Sequence, residues 1–471
     1  GSGGGGASAV QRLLQRSAVG VYNQLYQRHC RRRLTSGAGD WQWPELPPSE
    51  VAAAVVSGEG GGSSRATRVL GLVPQVLSFE QRAELFLALV AADKERVAVM
   101  PGFGPLMRVR RTALYEDALA GFGRLAAEYG PEQLRKGFRV EFVNAEGSLE
   151  AGVDGGGLLK EFLDSVCREA FDPQYGLWLT TPDHRLFPNP ASALAAADHL
   201  DHFHFHGQLV GTAIYHAILV APTFAGFFLT KLLGRPNSPD ELWSRDPELY
   251  RGLVAAKAVP DPSALDLTFT VASGAMGAVR EVELVPGGGE VPVTRGNLLR
   301  YLALVAHFKL NVETAAQCRA FLDGLRVVLP ARWLRLFSQE ELQLLIGGSQ
   351  TRVDVRDWAQ HARYAGGYDA GSAQVRWFWE LVAAYSDEER AALLQFATAC
   401  PRPPLLGFRH LHPPFCIQRV ALPGGGGGGV GARLPTASTC MNLLKLPAYA
   451  SKEVMAEKLK YTLAANTGFD L

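Results

Sequence analysis

Cysteine is scarce in this chain and never closely paired, long apolar runs are missing, and net charge is close to zero; each absence removes a class of function. Six cysteines (Cys30, Cys167, Cys318, Cys400, Cys416 and Cys440) are spread over 471 residues. Without CxxC spacing they suit neither a zinc ribbon nor a disulfide framework, and they fit a reducing compartment. No window approaches the ~18 consecutive apolar residues of a membrane span. The start, "GSGGGGASAV", reads as a flexible glycine-rich leader, and no secretory signal is expected. These features predict a soluble intracellular protein, cytoplasmic and/or nuclear, with no membrane partner. The 47 basic and 46 acidic residues nearly cancel, so no nucleic-acid partner is expected and binding must come from shaped local sites.

What the chain has is apolar residues in periodic blocks. They make up 47% of it, enough to bury a large core and divide into about two or three units. Residues 9–33 place Val10, Leu13, Leu14, Val19, Val21 and Leu25 at helical spacing and close on Arg31, Arg32 and Arg33, as a helix C-terminus favours. Residues 34–65 read as a Gly/Pro/Ser-rich linker. Ser78 is the expected N-cap of a helix over 79–92. Phe138, Val140 and Phe142 alternate as a strand does, glycines break the chain, and a helix begins at Leu158. Residues 203–234 read as a long apolar helical region. Residues 240–300 change character, with acidic turns, the strands "LTFTV" and "VPVT", and "GGG" at 287–289, and suggest an inserted subdomain. Helical patterning resumes from Leu298 to Ile346.

After "IGGSQ" (346–350) a last unit begins. "VRWFWELVAAY" (375–385) precedes "SDEERAALLQF" (386–396), where Ser386 and Glu389 form a capping box. A hairpin-like region over 415–434 holds the six glycines 424–429, read as a permissive loop. The loop around Cys440 follows. The final helix, from Ser451, sets Met455, Leu459 and Leu463 on one face.

Three stretches carry candidate chemistry. "GVDGGGLLKEF" (152–162) lacks both the GK[ST] ending of a P-loop and the GxGxxG spacing of a dinucleotide turn, so a tight turn feeding a helix is expected rather than a phosphate cradle. "HLDHFHFHG" (199–207) brings His199, His202 and His206 to one face if helical. A metal would need further convergent ligands, and packing or surface histidines are the expected reading. Cys440 differs from the other five cysteines, which read as buried core residues. It lies in a Pro-bounded, hydroxyl-rich loop between Thr439 and Asn442, whose side chains can orient a backbone or carbonyl group. A thiol is a strong nucleophile even as a minor thiolate fraction. A cysteine protease needs a histidine base. None occurs from Met441 to Leu471, although His410 and His412 lie upstream. Exchange of a thiol with a thioester is nearly isoenergetic and needs no dedicated histidine. On the residues alone, acyl carriage stands only slightly ahead of hydrolysis.

"LPTASTCMNLLKLPAY" resembles the catalytic loop of HECT-type ubiquitin ligases. Further segments agree in the family's order: "GVDGGGLLKEF", "FDPQYGLW", "GQLVGTAIYHAILV", "FFLTKLLGRP", "DPELY", "VPVTRGN", "ELQLLIGG", "GGYDAGSAQVRWFWE", "LLQFATACPRPPLLGF" and "NTGFDL". The resemblance covers about residues 75–471. It is greatest to the branch with a long helical N-terminal region and proteasome-linked function, in which "YNQLYQRHCRRR" also has a counterpart.

The resemblance implies an α+β, bilobal fold. Residues 1–65 would be an N-terminal helix and flexible linker, 66–350 a mostly helical N-lobe, and 351–471 a smaller α/β C-lobe carrying the cysteine. The subdomain docking the conjugating enzyme would span about 240–310, and a hinge would lie between Gly347 and Gly367, near Gln350. Cys440 would take ubiquitin as a thioester, with Thr439, Asn442, Arg402 and Phe469 in support. Phe469 stands one position nearer the chain end than the family's usual aromatic, and Ser438 stands where many members carry histidine. Asp470 is a candidate to position the acceptor lysine. Leu249, Tyr301 and Val305 would line the groove for the conjugating enzyme. The implied partners are ubiquitin, a ubiquitin-conjugating enzyme, protein substrates and, through them, the proteasome. No metal, nucleotide or organic cofactor is implied. A hydrolase acting on ubiquitin and a catalytically silent adaptor are the alternatives.

Overall fold

The computed structural model describes residues 9–31, 33–35, 37–43, 69, 72–98, 104–150, 157–274, 279–348, 352–411, 413–420 and 433–467. The fold is α+β, in two compact units. One takes Gly1–Ala98, Pro173–Gly207 and Thr223–Gln343; the other takes Val99–Asp172, Gln208–Pro222 and Leu344–Leu471. Compactness thus groups the residues differently from a 66–350 and 351–471 division: the 351–471 stretch stays whole but shares its unit with 99–172 and 208–222.

In the first unit, aromatic packing sets the core. Trp178 is fully buried, met edge-on by Phe203, Phe228 and Phe321. Its indole N–H donates to His206 Nδ1 at 3.1 Å. Ser78 forms its capping box with Gln81, and the helix it opens runs Phe79–Arg96, a turn past the expected end. Arg82 on that helix is buried. It forks onto Glu341, both contacts at 2.6 Å, and also donates to the Leu336 carbonyl.

The long helical region expected over 203–234 is broken. One helix, His199–Tyr215, ends before Ala217, which sits at φ 55°; the next is Gly226–Leu232. Pro222 lies between them, and proline both lacks an amide hydrogen and turns its predecessor away from helical backbone. The 240–310 segment does have a core of its own, built on Phe269, Val293, Leu298, Leu302 and Val305. Its hairpin pairs Thr270–Ser273 with Arg280–Glu283. "VPVT" is not a strand. Pro292 makes only an isolated bridge to Thr268, since proline cannot donate to a ladder.

In the second unit, strands Leu106–Arg110 and Arg139–Val143 pair in parallel, with Val140 and Phe142 buried as their alternation predicts. Helices Leu114–Tyr129 and Gly157–Ala170 pack on the pair around Phe122, Phe138 and Phe162. A separate four-stranded sheet runs in the spatial order Arg363–Ala365, Cys416–Val420, Leu443–Pro447, Thr436–Ser438. The hairpin expected over 415–434 is therefore not formed by its first strand, because Cys416–Val420 pairs in parallel with both of its neighbours. The six glycines lie outside the described residues. Helices Ala373–Ala384, Asp387–Thr398 and Lys452–Thr467 complete this part. The Ser386–Glu389 capping box is present, and Met455, Leu459 and Leu463 are buried.

Helices His199–Tyr215 and Ala315–Val328 cross at a pair of glycines. A Cβ on Gly207 would fall on the Phe321 carbonyl, and one on Gly324 on the His204 carbonyl. Gly324→Ala is expected to cost about 1–3 kcal/mol by overpacking. Chemical unfolding of the purified chain measures it, and an unchanged midpoint would contradict so close a crossing.

Candidate active site

The Cys440 segment is the tip of an antiparallel hairpin. Thr436–Ser438 pairs with Leu443–Pro447, Ser438 opposite Leu443. Four residues, Thr439 to Asn442, connect the strands, and Thr439–Met441 form a 3₁₀ turn. Asn442 then takes left-handed backbone, φ 47° and ψ 43°. Asparagine is one of the few side chains besides glycine that visit this region readily. Its amide donates back to the Thr439 carbonyl at 3.2 Å, closing the turn.

Asn442 is also bonded outward. Its Nδ2 donates to the Pro413 carbonyl at 2.6 Å, and its own carbonyl accepts the Cys416 amide at 2.9 Å. The side chain is buried although polar, as hydrogen bonding permits. Both bonds tie the turn to the chain entering the central strand. Thr439 is half-buried and supplies the carbonyl that closes the turn, while Met441 is exposed. Cys440, described by its backbone alone, is the middle residue of the turn.

Helices Gly157–Ala170 and Asp387–Thr398 both pack against the turn. Lys160 on the first donates its Nζ to the Thr398 carbonyl at the end of the second. Burial holds the Lys160 amine below the ordinary lysine range. The Arg402 guanidinium donates to the Gly347 carbonyl, at the C-terminus of helix Gln339–Gly347.

Burial raises the pKa of all five other thiols. Cys167, Cys318 and Cys400 are buried as expected and pushed up by desolvation. Cys30 and Cys416 are only half-buried, a correction to the core reading, because each lies at the end of its element. Cys30 is nonetheless pushed up to about 11, and Cys416 is raised too. A thiol raised in this way has little thiolate at neutral pH and is a poor acceptor.

His410 accepts from Arg409 Nε at 2.8 Å. His412, Gln350, Phe469, Asp470 and residues 152–156 of the glycine turn lie outside the described residues. The histidine run is helical. His206 is fully buried and pushed down to about 3 by desolvation, and His199 Nδ1 lies 2.9 Å from Ser192 Oγ. Among the described residues, no group of three or more His, Cys, Asp or Glu is placed to hold a metal ion.

Of the three groove candidates, Leu249 is half-buried on helix Pro247–Ala256, its amide capped by Asp246. Tyr301 and Val305 are interior, 7% and 1% exposed, so they stand behind the surface rather than on it. The outward apolar side chains of this region include Trp243, Val254, Leu265, Val279 and Leu299. Sequence reading missed them because helical periodicity marks the buried face, not solitary exposed residues. It missed Lys160 for a related reason, since nothing in a helix pattern says that a lysine is half-buried against a neighbouring helix end.

A family model described as HECT-domain (ubiquitin-transferase) matches residues 164–471. The chain belongs to the HECT-domain family. Curated relatives of this HECT chain include E3 ubiquitin-protein ligase UPL6 of Arabidopsis thaliana, 40% identical over 453 residues that cover 96% of this chain and 43% of that protein. Ubiquitin-protein ligase E3B of Homo sapiens is 37% identical over 489 aligned positions, 97% of this chain and 45% of that protein. E3 ubiquitin-protein ligase HUL5 of Saccharomyces cerevisiae is 35% identical over 429, with shares of 86% and 45%. The HECT chain thus spans less than half the length of each of these three relatives.

Asn442→Ala removes a buried hydrogen bond and leaves a β-carbon at positive φ. It is expected to cost about 1–3 kcal/mol. Asn442→Gly keeps the backbone but not the bond and should fall between. Urea unfolding of the three proteins gives the order, and Asn442→Ala as stable as the parent would overturn the account of the turn.

Proposed function

We propose that this chain is a ubiquitin ligase that accepts ubiquitin from a conjugating enzyme as a thioester on Cys440 and transfers it to a substrate lysine. What carries the reading is the placement of Cys440, at the tip of a hairpin turn pinned by Asn442, in a chain that belongs to the HECT family. Burial raises the pKa of the other five thiols, which disfavours each of them as the acceptor.

The chemistry balances without a cofactor. The Cys440 thiolate attacks the thioester carbonyl of charged conjugating enzyme, a new C–S bond forms, and the conjugating enzyme's thiolate leaves. A substrate amine then attacks the second thioester; the C–N bond forms, the C–S bond breaks, Cys440 regains its thiolate and the amine gives up a proton. The first step exchanges like for like. The second runs downhill to an amide, so neither needs the oriented histidine that amide hydrolysis requires.

The conjugating enzyme would dock on the 240–310 subdomain, where Trp243, Val254 and Leu299 stand exposed and Leu249 is half-buried. The proposed partners are ubiquitin, that enzyme and protein substrates, with the proteasome as the destination of modified substrates. The proposed compartment is cytoplasm or nucleus, where the chain's cysteines would stay reduced.

A single-turnover reaction with ubiquitin-charged conjugating enzyme, resolved with and without thiol reductant, tests this. The parent chain should form a reductant-sensitive adduct, and Cys440→Ala should form none. Release of free ubiquitin without an adduct would favour a hydrolase. No adduct and no release from any of several charged enzymes would reduce the chain to a silent adaptor.

A further inference from the structure

A thioester is consumed by whichever amine reaches its carbonyl first, so the lysines near Cys440 decide where an acyl group carried there can go. Between Arg433 and Ala450 the chain has one lysine, Lys445, on the strand that leaves the Cys440 turn. The hairpin fixes its place. Ser438 stands opposite Leu443, and on the next pair of the same face Thr436 stands opposite Lys445. Lys445 is therefore two residues beyond the last pair before the turn, a step of about 7 Å along the strand. Its flexible four-carbon stem covers a comparable length, and strand side chains lean along the strand direction.

Alternation sends Leu444 and Leu446 into the core and leaves Lys445 half-buried on the outer face of the sheet. Its neighbour across the parallel pair is Gln418. The other described positions of that face are apolar, hydroxyl, thiol or, at Arg363, basic. None is acidic, so this face of the sheet has no carboxylate to hold the Lys445 ammonium. Three other lysines of the same unit are engaged. Lys160 donates to the Thr398 carbonyl, Lys452 to Glu380 at 2.7 Å and Lys458 to Glu457 at 3.0 Å.

We infer that Lys445 is an internal acceptor, a modification site onto which ubiquitin carried by Cys440 is discharged when no substrate amine arrives. The inference rests on the proposed thioester role of Cys440. The Lys445 amine attacks the thioester carbonyl, the C–N bond forms, the C–S bond breaks, Cys440 leaves as a thiolate and the amine's proton passes to solvent. Nucleophile and thioester belong to one hairpin, so the step needs no second chain. Its product is an isopeptide beside the turn. A thioester can be exchanged again, whereas an amide is not, so the attached ubiquitin stays and obstructs the next charged conjugating enzyme. Discharge thus silences a chain that held an unused ubiquitin.

The test charges the chain in a single turnover without added substrate and follows the adduct, with and without reductant, at several chain concentrations. Digestion and mass spectrometry locate the ubiquitin remnant. In the parent the reductant-sensitive adduct should convert to a reductant-resistant one at a first-order rate independent of concentration, with the remnant on Lys445. The converted chain should accept a second ubiquitin far more slowly than fresh chain. Lys445→Arg should abolish the conversion and lengthen the thioester's lifetime about fivefold, as loss of an intramolecular nucleophile requires. Adding Thr436→Lys to Lys445→Arg returns an amine across the same pair and should restore conversion, with the remnant at position 436. Four results would overturn the inference while leaving the ligase reading intact: conversion that scales with chain concentration, a remnant confined to Lys452, Lys458 or Lys460, an unchanged lifetime in Lys445→Arg, or undiminished recharging of the converted chain. A parent that forms no reductant-sensitive adduct would overturn both.

Discussion

Asn442 makes two bonds to one stretch of chain while holding a backbone conformation that most residues avoid. Its side chain binds Pro413 and its carbonyl binds the amide of Cys416. The register of the central strand pair therefore begins at this residue, with Cys416 opposite Leu443. On the other side the hairpin closes through the same residue, whose amide returns to Thr439. The position of the Cys440 turn is fixed by the sheet rather than by the flexibility of a surface loop. That matters for acyl transfer, because a nucleophile that must meet two bulky partners in succession gains from a fixed geometry.

The effect of burial on the five other cysteines is thermodynamic. A thiol in an apolar site loses the hydration of its thiolate, so its pKa climbs and its nucleophilic fraction falls. Among the five thiols whose side chains are described, three sit in the interior, and the half-buried pair is raised as well. Thioester exchange asks little of the residues around the acceptor, since bond energies nearly match on the two sides. The absence of histidine from Met441 to Leu471 is therefore compatible with the proposed chemistry.

Local chemistry was legible in the sequence wherever it acts over a few residues. The capping boxes at Ser78 and Ser386 formed, and Met455, Leu459 and Leu463 share a buried face. Pairing across distance was not. The hairpin-like reading of 415–434 missed the partners of Cys416–Val420, because Arg363–Ala365 and Leu443–Pro447 lie on either side of it in the chain. Apolar content over 203–234 concealed a break after Tyr215, because hydropathy does not register the left-handed turn at Ala217. Tyr301 and Val305 were placed in a groove, whereas burial put them inside the subdomain. For the site, the motif pointed to Cys440 and Asn442, but the bonds made by Asn442 and the engagement of Arg402 with Gly347 depend on tertiary placement.

The most direct test of the central claim is peptide mapping by mass spectrometry of the ubiquitin adduct, quenched in acid after one turnover. The account predicts ubiquitin's C-terminus on the peptide containing Cys440 and on no other cysteine peptide. Adduct mapped to Cys30 or Cys416, the half-buried pair among the other five thiols, would contradict it.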